Sequence, residues 1–251
     1  DTVSGASPGT SFTSAYTVDA SDTDGTVAIS ITATDVAGNT TSGFTTISAG
    51  SVTVDQTAPA SQKTQGVVTT GGDNQVAGYW NSGNTGVDIT VPIADDSSIN
   101  GGTVQLLVST DGGGSFVPLD TPSTISAVNT NKTISVASGV LEGVAGFGES
   151  DVLQFKATIT DTSGNATTGT VSDTTLTVDQ TAATISTSSI ASDNATVTLA
   201  KTGDTVTLTI ATNENITSPT VTFTSGGAAA TNADTVSGAS PGTSFTSAYT
   251  V

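Results

Sequence analysis

Residues 1–18, DTVSGASPGTSFTSAYTV, recur without a single change as residues 234–251. A run of eighteen identities is a copy, and a copy at fixed distance sets a repeat period of 233 residues. The chain is therefore one period of an array plus an overlap. This constrains the fold before anything else does. Identical segments must occupy equivalent places in successive units, and what such arrays do comes from length, spacing and multiplicity rather than from a catalytic pocket.

A second, degenerate repeat lies inside the period. Ala33-Thr-Asp-Val-Ala-Gly-Asn39 is echoed by Ile159-Thr-Asp-Thr-Ser-Gly-Asn165, and Val54-Asp-Gln-Thr-Ala58 by Val178-Asp-Gln-Thr-Ala182. Strand-like runs, Ser51–Val54 and Thr175–Val178, precede the second motif, so it closes a domain. Residues 59–182 then form one complete domain of 124 residues, while the other is split across the seam. Its front half begins the segment 183–251 and its back half is 1–58, with 234–251 duplicating 1–18. The two halves, 183–233 and 1–58, total 109 residues, and 109 with 124 returns the period.

The apolar residues alternate with Thr and Ser in many short runs, the mark of half-buried strands and not of a disordered tract. Expected strands are Phe12–Val18, Val27–Thr34, Val87–Ile93, Val104–Ser109, Thr133–Val136, Leu153–Thr160, Ala195–Leu199, Thr205–Ala211 and Thr220–Thr224, separated by Asp, Gly, Asn and Pro. Within Thr205–Ala211, Val206, Leu208 and Ile210 fall on one face and threonines on the other. No helix longer than about one turn, near Val140–Gly146, is expected. Short strands at this spacing, in units of just over a hundred residues, predict an all-β chain of tandem β-sandwiches, two related domain types per period.

Composition excludes most chemistry. There is no Cys, His, Met or Arg, and four lysines stand against 22 acidic residues for a net charge of −18. The commonest general base, soft metal ligands and disulfides are all missing. Nucleic acid needs a cationic footprint that this chain does not have. No apolar run is long enough for a membrane-spanning helix. Without a basic-then-apolar leader, the sequence reads as an internal piece of a longer secreted chain. No enzyme activity is expected.

Particular runs carry a family resemblance. Ala200-Lys-Thr-Gly-Asp-Thr-Val-Thr-Leu-Thr209, Asp22-Thr-Asp-Gly-Thr-Val27, Ala33–Asn39 and Val52–Pro59 resemble the bacterial immunoglobulin-like repeats of giant surface adhesins. The middle domain is similar to a sister type through Gly86–Asp95, Gly102–Leu106 and Phe155–Asn165. The resemblance covers essentially the whole chain. It implies an extracellular, cell-surface stalk of Ig-like sandwiches from a large Gram-negative protein, often with calcium at domain junctions. Ala183 departs from the pattern, which has proline there as at Pro59.

Candidate cation ligands cluster at predicted turns and strand ends: Asp22 and Asp24, Asp35 with Asn39, Asp55, Asp95 and Asp96, Asp161 with Asn165, and Asp179. Loop oxygens of this kind suit Ca2+, and few of the carboxylates can find a lysine. The alternative is that Asp-x-x-Gly-Asn is simply a turn, with Asp capping the backbone. Asp55 and Asp179 end the last strand of their domains and are placed to reach a loop of the following one.

The expected partners are neighbouring copies of the repeat, in cis or in trans as a filament. Two further readings stay open at this point. One is a self-assembling filament or sheath using strand complementation. The other is a carbohydrate-binding module, suggested by Trp80 and by Ser109-Thr-Asp-Gly-Gly-Gly-Ser-Phe116, which fits an Asp-box. A glycine-rich hairpin and a buried aromatic anchor are the plainer accounts of those two features.

Overall fold

The computed structural model describes residues 2–72, 75–230 and 235–251. It is nearly all β and divides into two compact units, Asp1–Gln180 and Thr181–Val251.

The amino-terminal stretch of the first unit carries short strands that pair only two by two. These are β1 (Thr2–Ser4) with β2 (Thr13–Ala15), β3 (Gly25–Thr26) with β6 (Thr53–Val54), and β4 (Ile31–Thr34) with β5 (Thr40–Phe44). Among the described residues of 1–58, Val54 alone is buried. Phe12, Tyr16, Ile31, Phe44 and Ile47 are exposed. The expected strand at Val27–Thr34 forms only from Ile31, and the one at Phe12–Val18 only over Thr13–Ala15.

Beyond residue 59 the same unit becomes a well-filled sandwich. Its strands are β7 (Gln65–Thr70), β8 (Tyr79–Trp80), β9 (Gly86–Ile93), β10 (Thr103–Ser109), β11 (Val117–Thr124), β12 (Thr130–Ala137), β13 (Val152–Thr160), β14 (Ala166–Thr168) and β15 (Leu176–Val178), with one helical turn, α1 (Ser138–Leu141). One sheet runs β12-β9-β7 and the other β11-β10-β13-β15-β8, with β14 added on β13. Period-two alternation decides which side chains face inward. Val87, Ile89, Val91 and Ile93 of β9, Val104, Leu106 and Val108 of β10, and Leu153, Phe155, Ala157 and Ile159 of β13 join one core. Each large apolar side chain buried this way contributes about 1.5–3 kcal/mol. The alternate positions, among them Asp88, Thr90, Gln105, Lys156 and Thr158, are less buried and mostly polar.

The second unit is built on one three-stranded sheet, β16 (Ile185–Ser192), β17 (Thr205–Ile216) and β20 (Gly242–Thr250), with a small hairpin of β18 (Thr224–Ser225) and β19 (Ala228–Ala229). Its order, β16-β17-β20, matches β7-β9-β12 of the sandwich, with the middle strand antiparallel to both neighbours. Ile210, Phe223 and Phe245 are buried, yet Ile185, Ile190, Val197 and Leu199 are exposed.

Two expected strands differ here. Ala195–Leu199 forms turns, because the Asn194 side chain accepts from Thr196 N–H (3.0 Å) and donates to Asp204 (2.6 Å). An Asx turn competes with strand pairing for the same backbone. Thr220–Phe223 lies outside any strand, with pairing beginning only at Thr224.

Candidate functional site

Two places carry the candidate residues, the seam where the identical segments lie and the joint around Asp55. At the seam both copies build the same local turn. Ser4 pairs with Thr13 in the first, and Ser237 exchanges two backbone hydrogen bonds of 2.8 Å with Thr246 in the second. Gly5 (φ 155°) and Gly238 (φ 150°) have equivalent roles, since a Cβ there would lie 2.7 Å from the Phe12 ring and 2.8 Å from the Phe245 ring. Only glycine tolerates both the conformation and the approach.

What surrounds the two turns is different, so the expectation that the two copies occupy equivalent places is not met within this chain: the first forms a strand only over Thr13–Ala15, the second over Gly242–Thr250. In the second copy β20 lies along β17, with Val206 opposite Tyr249, Leu208 opposite Ser247 and Ile210 opposite Phe245. Phe245 is fully buried, and Tyr249 packs on Phe223 with ring centroids 4.9 Å apart. In the first copy Phe12 is 52% exposed, and the Tyr16 hydroxyl donates to Asp22. That bond to a carboxylate pushes the Tyr16 phenol up to about 12. Asp1 and Asp234, the first residues of each copy, lie outside the described residues.

The two Asp-x-x-Gly-Asn segments fold as the same turn. Asp35 N–H donates to the Asn39 carbonyl (2.9 Å) and Asp161 N–H to the Asn165 carbonyl (3.0 Å). The Asp35 carboxylate accepts from Ala37 N–H, Asn39 N–H and Asn39 Nδ2, and Asp161 accepts from Ser163, Gly164 and Asn165 N–H groups and from Asn165 Nδ2. These donors, the Asn39 side chain foremost, hold Asp35 below the usual carboxylate range. The turns differ in setting, since Asp161 is buried and Asp35 is exposed.

The second turn is hydrogen-bonded to the Asp55 segment. Asn165 Nδ2 donates to the Asp55 carbonyl (3.0 Å), and Ser163 Oγ donates to the Asp55 carboxylate (2.9 Å). Asp24 accepts from Gln56 N–H (2.7 Å) and from the Thr57 hydroxyl, whose bond does most to lower its pKa. Gln56 Nε2 donates to the Asp22 carbonyl (3.0 Å). Thr162 donates from N–H and hydroxyl to the Ser98 carbonyl, and Ser98 in turn donates to Asp96, which caps the short turn Ser97–Ile99.

Asp22, Asp24, Asp55, Asp96, Asp161 and Asn165 thus belong to one hydrogen-bonded joint, whereas Asp35 with Asn39 sits apart. Asp95 is exposed on the loop before that cap. Asp179 donates its N–H to the Trp80 carbonyl (2.8 Å). Of the linking residues, Gln56, Thr57 and Ser163 lie within the repeated motifs, whose recurrence marked the segments without showing that they meet, and Ser98 carried no sequence signal in a chain rich in Ser. The joint works by N–H and O–H groups donating to oxygens. Among the described residues no three acidic side chains gather in a way that could hold a metal ion.

The two sugar-binding cues have structural roles. Trp80 is fully buried, and its Nε1 donates to Glu142 (3.0 Å), so its ring offers no stacking surface. The Asp-box segment closes on itself. Ser109 Oγ and Ser115 N–H both donate to Asp111, and Gly113 N–H donates to Ser109 Oγ. With the Ser109 hydroxyl as the main cause, Asp111 is held well below the ordinary carboxylate range. Lys156 sits 3.9 Å over the Phe116 ring centre, a cation–π contact that packs the hairpin.

No protein-family model matches the chain, and no curated protein matches it at a significant level. No helix among the described residues is long and apolar enough to cross a membrane.

Proposed function

We propose that this chain is a non-enzymatic structural repeat of a giant extracellular bacterial adhesin or surface filament. In this reading tandem Ig-like sandwiches act as a stalk that holds a binding domain away from the cell surface. The observation that carries it is the seam. Within the duplicated segment, Gly242–Thr250 is a packed strand beside β17, whereas the first copy is an open hairpin of Thr2–Ser4 with Thr13–Ala15. In this reading the first copy is without the strand that a neighbouring unit of the array would supply. The complete sandwich buries its own core, so an array of such units lengthens by addition. An exterior rich in acidic residues, Thr and Ser keeps long polymers soluble and apart.

The joint at Asp55 supports the spacer role, because hydrogen bonds from Ser163 and Asn165 fix the segment that enters the sandwich. Calcium is part of the proposal as an added stiffener of such joints. It would act through the carboxylate oxygens of Asp22, Asp24, Asp55, Asp95, Asp96 and Asp179 and through the Asp35/Asn39 and Asp161/Asn165 turns, in exchange for the hydrogen bonds that several of these carboxylates accept. Chelator should lower the melting temperature and increase bending seen by small-angle scattering. Identical profiles with and without chelator remove calcium from the reading.

The native polypeptide, denatured and weighed, tests the array itself. A single chain far above 24.4 kDa is expected. A species near that mass favours the rival reading, in which separate subunits assemble by strand complementation.

A further inference from the structure

From the seam we infer that residues 1–58 are a docking surface for residues 181–230 of a second copy, and that the two halves close into one two-sheet domain along two defined strand seams. The inference deepens the array reading and rests on it. Both halves expose the apolar side chains a core would need, Phe12, Ile31 and Phe44 on one and Ile190, Val197 and Leu199 on the other. A single half-sandwich of exposed aliphatics is a surface awaiting a partner.

The first seam is displayed by the duplicate. Because residues 242–250 lie on β17, residues 9–17 of another copy, identical in sequence, fit the same edge in the same register. Phe12 then falls opposite Ile210, Thr13 opposite Thr209 and Tyr16 opposite Val206.

The second seam follows from the internal repeat. In the sandwich β13 pairs with β10, β14 and β15, including Val152 opposite Thr177. In residues 1–58, β3 and β4 together correspond to β13, β5 to β14 and β6 to β15. The pairing of Thr26 with Thr53 reproduces that of Val152 with Thr177 at the offsets the two motifs set. Among the described residues no counterpart of β10 lies beside β4, which pairs with β5 alone.

That counterpart is Thr220-Val-Thr-Phe223, which matches Thr103-Val-Gln-Leu106 in pattern and is left outside any strand. Val104 faces Ile159 and Leu106 faces Ala157 across β10 and β13. Carried over, Val221 faces Ala33 and Phe223 faces Ile31 of the second copy. The strand expected at Thr220–Thr224 and the one expected before Ile31 thus lack partners for the same reason.

Cysteine pairs test the register in a chain that has no cysteine of its own. Thr246 spends its N–H and carbonyl on Ser237, so its place opposite Thr209 is a non-hydrogen-bonded pair. Such pairs are the closer kind, with Cα atoms about 4.5 Å apart, within disulfide range. The full chain carrying Thr13→Cys and Thr209→Cys should stay largely monomeric, because its own tail holds β17 at high effective concentration. Adding Phe245→Asp ejects that tail, and oxidation should then link chains into a ladder of multimers through 13–209. Adding Phe12→Asp as well should abolish the ladder.

Moving the first cysteine one place, to Ser14, puts it on the other face and should lose the link. Where Phe245→Asp disrupts the unit more widely, the same cysteines in a chain ending at Ala233 give the same readout, and Thr32→Cys with Thr222→Cys reads the second seam. Multimers linked at 13–209 and 32–222 support the inference. No link in either background, links without register preference, or links confined within single chains overturn it. A last arm places residues 183–233 ahead of Asp1 in one polypeptide. If that segment suppresses the ladder, the donor acts in tandem. If the ladder persists, the array reading fails while complementation between molecules stands.

Discussion

Phe12 and Phe245 share eighteen identical residues of context and the same glycine-backed hairpin, yet one ring is 52% exposed and the other is fully buried. The difference between them is β17. A hairpin of this length fixes where the ring points relative to its own turn, but a strand edge and a facing sheet have to arrive from elsewhere before the ring leaves water. The sandwich at 59–180 shows the completed state. There both sheets are supplied by contiguous sequence, and the inward residues of β9, β10 and β13 close one core.

The sharpest way to break this comparison is to truncate each ring. Phe245→Ala should cost about 3–5 kcal/mol, the usual range for a buried aromatic. Phe12→Ala should lie within about 0.5 kcal/mol of the parent, as an exposed substitution does. Urea unfolding resolved by unit, for example by hydrogen exchange along β17, makes the measurement. Equal losses at the two positions would show that residues 1–58 are already packed.

A smaller contrast is expected between the two Asp-x-x-Gly-Asn turns. Asp161→Ala removes a buried carboxylate that accepts from three backbone N–H groups and loosens Asn165 from Asp55, at about 1–3 kcal/mol. Asp35→Ala removes the same bonds in water and should cost less than about 1 kcal/mol. The two changes, compared by denaturant midpoint in the same chain, isolate the contribution of burial. If Asp35 proves the more costly, the turn matters for local order alone and its setting does not.

The smallest effect is on pH dependence. Asp111 has a folded pKa below its unfolded value of about 3.9, so its contribution is complete well above that pH. It declines as pH falls below about 4 and is lost through the folded value. The stability difference between the parent chain and Asp111→Ala should therefore shrink between pH 7 and pH 2.5. A difference that stays constant with pH would show that the Asp-box loop is held by its glycines and serines without the charge.

Much of the fold was legible beforehand, where each strand had its partner within the same stretch of sequence. Val87–Ile93, Val104–Ser109 and Leu153–Thr160 form within a residue or so of where alternation placed them. The all-β class followed from the same periodicity. Ala195–Leu199 was misread because its alternation is real while Asn194 diverts the backbone into a turn. The candidate site was legible in part. Asp55 was placed to reach a neighbouring loop and it meets Ser163 and Asn165, but that a serine and an amide would be its partners needed the backbone trace.

By itself the sequence determined what is local: the period, the paired hairpins at Gly5 and Gly238, the Asp-capped turns and the inward–outward alternation of each strand. These depend on dihedral preference and on hydrogen bonds a few residues apart, so two identical segments build them identically. Burial was decided only by the tertiary structure. Phe245 lies in a core and Phe12 in water because one has β17 beside it, and no stretch of eighteen residues can specify which strand will come to lie at its edge.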